Sequence, residues 1–391
     1  MFTTLGSLQT PCLVVDKIAF LHNLSRMEKY LDAFNVALRP HLKTVKSIAA
    51  ASYILADKQT GCAVSTLKEA ETFAAQGYTN ITYAVGITED KLQRVLALIN
   101  QGVNLTILLD SMEQAMFVSQ FCSENECKIP CLIEIDCDGH RAGLSPKNKE
   151  IVTIATILES GGLYRGLLTH AGGSYTCNTT EQLIQFAEKE RSAVVAAASM
   201  LEEAGITTTV LSIGSTPTAL STQNLDGITE VRAGVYTFFD LVMAGIGICD
   251  IEDIALSVLT RVTGIKRSEN KLFIDAGWMA LSRDRGTASQ AFDCGYGLVC
   301  DQEGNLLPGL KVTSANQEHG IIECEPGFTL PDMKHGDLLR ILPNHACATA
   351  AQHSGYHVLS HDDIEFWPRF GGGDTPLLTT LFWCTALLRP Q

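Results

Sequence analysis

Residues 105–136 read LTILLDSMEQAMFVSQFCSENECKIPCLIEID, and this stretch sets the pattern for more than half of the chain. Leu105–Asp110 and Cys131–Asp136 are short apolar runs of strand length, each ending on an aspartate. Between them Ser111–Glu124 repeats its apolar residues with helical period behind a serine able to cap the first turn. A strand, a helix and a second strand with no hairpin turn between them predict two parallel strands joined by a helical crossover.

The same unit recurs on both sides. Further strands are expected at Val36–His41, Cys62–Ser65, Ile81–Val85, Tyr164–His170, Thr208–Ile213 and Ile228–Ala233, and helices at Thr66–Gln76, Glu89–Asn100, Lys149–Glu159 and Thr180–Glu203. Eight strands alternating with helices predict an α/β fold closed as a (β/α)8 TIM barrel. The rival, an open doubly wound sheet, would carry a Gly-x-Gly-x-x-Gly turn after an early strand, and none is present. Pro11–Asp16 reads as one more strand, followed by a helix Lys17–Leu31, with no slot among the eight. Beyond about residue 250 the texture changes to short alternating runs such as Lys271–Ala276, Gly309–Val312 and Asp337–Leu342, punctuated by Gly, Pro and Asn, as in a separate β domain. The expected organisation is a segment 1–16 that pairs with the β domain, a barrel over 17–248, and a C-terminal β domain over 249–391.

Composition narrows the function. Of 391 residues, 46% are hydrophobic and 18% charged, which suits a globular chain with a large core. A net charge of −14 with no clustered basic footprint argues against nucleic acid. No run approaches the roughly 20 apolar residues of a spanning helix, so no membrane partner is expected. Thirteen irregularly spaced cysteines and the lack of a targeting pattern in Met1–Thr10 suggest reduced thiols and a cytoplasmic location.

In a TIM barrel the chemistry collects just beyond the C-terminal ends of the strands. Those positions hold Arg39-Pro40-His41-Leu42-Lys43-Thr44, Asp138-Gly139-His140-Arg141, His170-Ala171-Gly172-Gly173-Ser174-Tyr175, Gly214-Ser215-Thr216-Pro217-Thr218 and Gly234-Val235-Tyr236. The last two are small residues whose N–H groups and hydroxyls can surround a phosphate. A lysine beside a phosphate cup suggests a Schiff base to pyridoxal phosphate. Taken singly, Lys43 reads as readily as a solvated loop lysine, and Gly214–Thr218 as a plain turn. In the β domain, Pro343-Asn344-His345-Ala346-Cys347 places an imidazole and a thiol two residues apart; on an extended segment both point to one side and can reach one cation. A lone His-x-Cys is a weak signal, and many such pairs are a core cysteine beside an unrelated histidine. Two protein ligands would leave the metal open positions for catalysis. His319, in Asn316-Gln317-Glu318-His319-Gly320, is a further polar cluster.

Arg39-Pro40-His41-Leu42-Lys43-Thr44-Val45-Lys46 resembles the lysine motif of fold-type III pyridoxal-phosphate enzymes, the alanine racemase-like fold, and within it the D-serine dehydratase and D-threonine aldolase group. Glu134-Ile135-Asp136 with His140-Arg141, Thr169–Gly172, Gly214–Pro217, Glu230–Tyr236, Asp275–Gly277 and Pro343–Cys347 resemble that group in the same order, over nearly the whole chain. The resemblance implies that Lys43, not Lys46, carries pyridoxal 5'-phosphate. It also implies that Arg141 partners the pyridine nitrogen, that His170 neighbours the ring with Tyr175 close by, and that Ser215, Thr216, Gly234, Val235 and Tyr236 take the phosphate. His345 and Cys347 match the group's metal ligands, for zinc or for manganese, cobalt or nickel, and Gln317 and His319 are candidate substrate contacts.

The cysteine at 347 and the stretch Arg232–Asp240 resemble the dehydratases, so the resemblance implies a lyase acting on a D-3-hydroxy amino acid, either D-threo-3-hydroxyaspartate or D-serine. A homodimer is implied too. The alternatives are a retro-aldol cleavage of D-threonine type, a racemase, which needs no metal, and a non-catalytic pyridoxal-phosphate carrier, which needs no β domain.

Overall fold

The computed structural model describes residues 4–360 and 363–371; the ends of the expected N-terminal segment and β domain, residues 1–3 and 372–391, lie outside the described residues. The eight expected strands form at β2 (Ala37–Pro40), β3 (Cys62–Val64), β4 (Asn80–Gly86), β5 (Asn104–Leu109), β6 (Cys131–Ile135), β7 (Tyr164–Thr169), β8 (Val210–Ile213) and β9 (Glu230–Ala233), after β1 (Cys12–Asp16). They pair in parallel in the order β2-β9-β8-β7-β6-β5-β4-β3. An isolated bridge from His41 to Ala63, with Leu42 N–H donating to the Ala63 carbonyl at 2.9 Å, brings the two free edges together into a barrel. Crossover helices cover its outside. Thr66, Ser111 and Thr179 cap three of them, each side chain accepting from the backbone N–H three residues on.

Alternation along these strands decides what faces inward. Leu108, Leu132 and Leu168 form a buried apolar layer within the barrel. In β2, β8 and β9 the corresponding positions are polar and satisfied. The Arg39 guanidinium donates to Glu230 at 2.6 Å, the Ser212 hydroxyl donates to the other oxygen of that carboxylate at 2.6 Å, and Arg232 donates to Ser212 and to the Thr169 carbonyl. Two residues further along each strand, the same inward parity delivers His41, His170, Gly214 and Gly234 to the C-terminal mouth.

The second sheet is antiparallel apart from one pair. It holds β10 (Leu256–Lys266), β11 (Lys271–Ile274), β12 (Leu298–Cys300), β13 (Leu306–Ala315), β14 (Gly320–Cys324), β15 (Leu338–Leu342), β16 (Gly355–Leu359) and β17 (Ile364–Pro368). Because β10 is long and irregular between Val262 and Gly264, it pairs with β11 as well as with β1 and β15. This closes β10, β11, β14, β13, β12 and β15 into a ring. β1 continues the sheet from β10 and pairs in parallel with β16, so the first strand of the chain belongs to the second sheet. Among the described residues no helix is long and apolar enough to cross a membrane.

Candidate active site

Two chambers meet at the barrel mouth. The inner one, about 90 Å³, is lined only by residues between 41 and 234, including Ser215, Thr216 and Gly234. The outer one, about 360 Å³, is lined from both sheets and includes Asp240, Asp284, His345 and Cys347. Lys43, Arg141, His170 and Tyr175 line both.

Lys43 sits in the turn after β2, where its own N–H points to the His41 Nδ1 at 3.4 Å. Lys46, three residues on, is held 2.9 Å from the buried Glu69 carboxylate, which leaves Lys43 as the motif's amine facing the chambers. His170 bonds through Nδ1 to the Gly214 carbonyl at 2.6 Å. A carbonyl only accepts, so Nδ1 carries the proton and Nε2 is a bare acceptor; that atom is buried without a partner. Burial and the nearby Arg141 hold His170 down at about 3, so the ring is neutral at physiological pH. Burial and the cations Lys43 and Arg232 hold His41 well below its ordinary range too.

The wall around Gly214 and Gly234 is close-packed. A Cβ on Gly214, at φ +142°, would collide with the Arg232 carbonyl, and one on Gly234 would lie 2.8 Å from the His41 carbonyl. Ser215 caps the short turn Thr216–Ala219 and meets the Ser174 hydroxyl at 3.0 Å. The Thr216 hydroxyl accepts from Tyr236 N–H at 3.2 Å. Tyr236 itself is buried and lines neither chamber, while Val235 lines the outer one. The loops are tied from behind by Glu190, a buried carboxylate in the middle of Thr180–Glu203, which accepts from Ala171 N–H at 2.8 Å and Gly214 N–H at 3.1 Å. Glu134, on β6, faces the inner chamber; burial, with Asp110 adding, lifts it to about 7.

The outer chamber corrects one expectation. His345 and Cys347 do not share an extended segment: His345 is the last extended residue, at φ −136°, and Cys347 lies in the first turn of the helix Ala346–Ala350. The chain turns there because the buried Asp240 carboxylate accepts the Ala346 N–H at 2.9 Å. The two side chains nevertheless converge on the outer chamber, near enough to shift each other's titration. His345 Nδ1 lies 2.7 Å from Asp284, which leaves Nε2 as the free ring nitrogen. Burial alone would pull His345 down, but Asp284 and Cys347 outweigh it and lift it to about 11. Cys347 is lowered against its own burial by His345 and Lys43. The Cys347 Sγ is also 3.3 Å from the Thr44 hydroxyl, one residue from Lys43.

Gln317 and His319 lie apart from this group. They sit in the exposed turn between β13 and β14 and line neither chamber. Sequence reasoning did not single out Asp284, Glu190 or Arg232. Arg232 and Glu190 had a signal in hand, since each is a charge at an inward or buried position of a regular element. Asp284, 61 residues from His345, had none.

The chain matches the alanine racemase N-terminal domain family over residues 15–242 and the putative serine dehydratase domain family over residues 255–359. It is 47% identical over 379 residues to D-threo-3-hydroxyaspartate dehydratase of Delftia sp. (strain HT23), covering 95% of this chain and 100% of that one. A structure of a D-threo-3-hydroxyaspartate dehydratase, a cysteine-to-alanine mutant in the metal-free form, superposes with a TM-score of 0.92 at 46% identity, covering 95% of this chain and 100% of the other. An alanine racemase-like protein from Idiomarina loihiensis superposes with a TM-score of 0.92 at 48% identity, covering 94% and 98%. D-serine dehydratase of Dictyostelium discoideum is 29% identical, covering 92% of this chain and 95% of that one.

Proposed function

The chain belongs to the fold-type III, pyridoxal-phosphate-dependent family of alanine racemase-like enzymes, in the branch whose barrel is followed by a serine dehydratase domain. From that premise we propose that it is a pyridoxal-phosphate- and divalent-metal-dependent dehydratase. It removes water from a D-3-hydroxy amino acid, D-threo-3-hydroxyaspartate or D-serine, to give a 2-oxo acid and ammonia. One observation carries the reading: Lys43 and the His345–Cys347 pair, which come from different sheets, line one chamber, with Cys347 in contact with Thr44.

The inner chamber fits the cofactor. It offers the Lys43 amine, a buried, unpartnered His170 Nε2, and a wall of small hydroxyl residues where Gly234 has no room for a side chain. Ser215, Thr216 and the backbone of Gly234, Val235 and Tyr236 would hold the phosphate, and His170, Arg141 and Tyr175 the ring. When bound, pyridoxal phosphate supplies an electron sink for negative charge developing at Cα. The outer chamber fits a divalent cation such as zinc, or manganese, cobalt or nickel. His345 Nε2 and the Cys347 sulfur would hold it, with Asp284 fixing the imidazole through Nδ1. Among the described residues no group of three or more His, Cys, Asp or Glu side chains converges as a metal site, so two protein ligands leave coordination positions for substrate. A Lewis acid there supplies what expulsion of a β-hydroxyl requires.

The chain's own groups do the rest. The Lys43 amine removes the α-proton, since it reaches both chambers and its neighbour Lys46 is locked to Glu69. His170 is neutral with its proton committed to Gly214, so it positions without adding charge. Tyr175, whose hydroxyl burial pushes up, stays protonated and can donate. Asp240 serves by fixing the turn that aims His345 and Cys347.

The same reading carries a homodimer in a reducing cytoplasm, with a barrel over 17–248 and a β domain over 249–391. The reducing location is supported by cysteines that stand unpaired among the described residues. Ammonia release from D-threo-3-hydroxyaspartate and D-serine, with and without chelator, tests the activity. Metal-dependent ammonia supports it; glycine with an aldehyde, the retro-aldol outcome, or cofactor binding with no turnover overturns it.

A further inference from the structure

The outer chamber is lined by five side chains that can donate a hydrogen bond to an anion from nitrogen: Lys43, His140, Arg141, His170 and His345. Four have other work. Lys43 and Arg141 reach the inner chamber, His170 is bonded to Gly214, and His345 is bonded to Asp284. Of the two chambers His140 lines only the outer one, at its solvent-exposed rim, and its ring nitrogens have no protein partner among the described residues.

The placement of that ring is built. Asp138 accepts the His140 N–H through Oδ1 at 3.1 Å and the Gly173 N–H through Oδ2 at 2.7 Å, stapling the loop after β6 to the loop after β7. The ring then lies against Gly172, where a Cβ would come within 2.7 Å of its Cδ2. The chamber's acids do not compete for it: Asp240 accepts from Met243 and Ala346, and Asp284 from His345.

We propose that His140 is the specificity residue that takes the second carboxylate of a β-carboxylated substrate, so that this chain prefers D-threo-3-hydroxyaspartate to D-serine. The inference rests on the dehydratase reading. In that reading the β-hydroxyl reaches toward His345 and Cys347, so the other substituent of the β-carbon occupies the same chamber, where an imidazole N–H is free to bond a carboxylate. Asp138 and Gly172 act as positioning residues.

The experiment compares the holoenzyme with His140→Ala and His140→Gln in two assays. In the first, the ratio of kcat/KM for D-threo-3-hydroxyaspartate over D-serine falls by roughly tenfold to a hundredfold in His140→Ala, with partial rescue in His140→Gln, which keeps a donor. In the second, D-aspartate and D-alanine, which lack the β-hydroxyl, are titrated by the change in cofactor absorbance. The wild type binds D-aspartate the tighter, by roughly tenfold or more, and His140→Ala removes the difference. An unchanged ratio, or equal losses on both substrates as an α-carboxylate contact would give, overturns the assignment. So does a wild type with no preference for D-aspartate. The binding assay needs no turnover: a D-aspartate preference lost in His140→Ala with no ammonia from either substrate would uphold His140 and sink the dehydratase reading instead.

Discussion

The two chambers that meet at Lys43 are built in opposite ways. The inner one is made by the barrel alone, from strand ends whose inward parity continues into His41, His170, Gly214 and Gly234. Its shape is largely backbone, and the glycines at 214 and 234 are there because neighbouring carbonyls leave no space for a Cβ. The outer one is made of side chains from separate segments, Asp240 after β9, Asp284 after β11 and His345 with Cys347 after β15, joined by the His345–Asp284 bond and by the Ala346 N–H donating to Asp240. A repeating fold yields a chamber by periodicity. A junction between two sheets yields one only after both have formed.

The comparison predicts separable failures. The largest is at one of the four residues that line both chambers: Lys43→Ala should abolish the lysine-linked cofactor absorbance and lower turnover by roughly a thousandfold or more, read by absorbance and ammonia release. Retained absorbance would break the division, because it would move the cofactor to another amine. Next, Cys347→Ala should spare that absorbance while turnover falls by roughly a hundredfold or more and becomes insensitive to chelator. Asp284→Asn should weaken metal affinity by about tenfold to a hundredfold, measured by metal titration, with the cofactor spectrum unchanged.

Gly214→Ala should do the reverse, damaging the inner chamber through the backbone. About 1–3 kcal/mol of stability should be lost in chemical denaturation, and cofactor affinity should fall while metal affinity holds. The smallest effect concerns Glu134. Its carboxyl is lifted to about 7 in the folded protein, above the usual carboxylate value, so the folded state holds the proton more tightly. Stability from this group is therefore full below about pH 4.5 and declines as pH rises toward 7. Denaturation of the cofactor-free protein across that window should lose at most about 3 kcal/mol, and Glu134→Gln should flatten the slope. A slope that survives the substitution would assign the titration to other groups.

Legibility in the sequence follows the same divide. The strands of the barrel fall within about two residues of their expected positions, because a parallel strand buried on both faces must be a short apolar run and its crossover helix must be amphipathic. Lys43, His170, Ser215 and Thr216 could be found by looking just past those strands. His345 and Cys347 were found as a pair but with the wrong backbone, since nothing local announces that Asp240, more than a hundred residues earlier, bonds the Ala346 N–H and starts a helix there. Glu190 hid inside a long helix whose other charges are mostly solvated, and only its bonds to Ala171 and Gly214 reveal it as the tie behind the loops that follow β7 and β8. Gln317 and His319 read as polar groups near a motif, yet the turn that carries them is exposed and opens on neither chamber.

By itself the sequence determined the eightfold repeat, the amine at its mouth and the imidazole–thiol pair, because side-chain periodicity and residue chemistry are local properties of a chain. Only the tertiary structure decided that the amine and the pair share one cavity, that Asp284 turns the His345 ring and that Lys46 is removed by Glu69. Those relations span from 23 to more than 300 residues and are set by which faces of two closed sheets come to rest against each other.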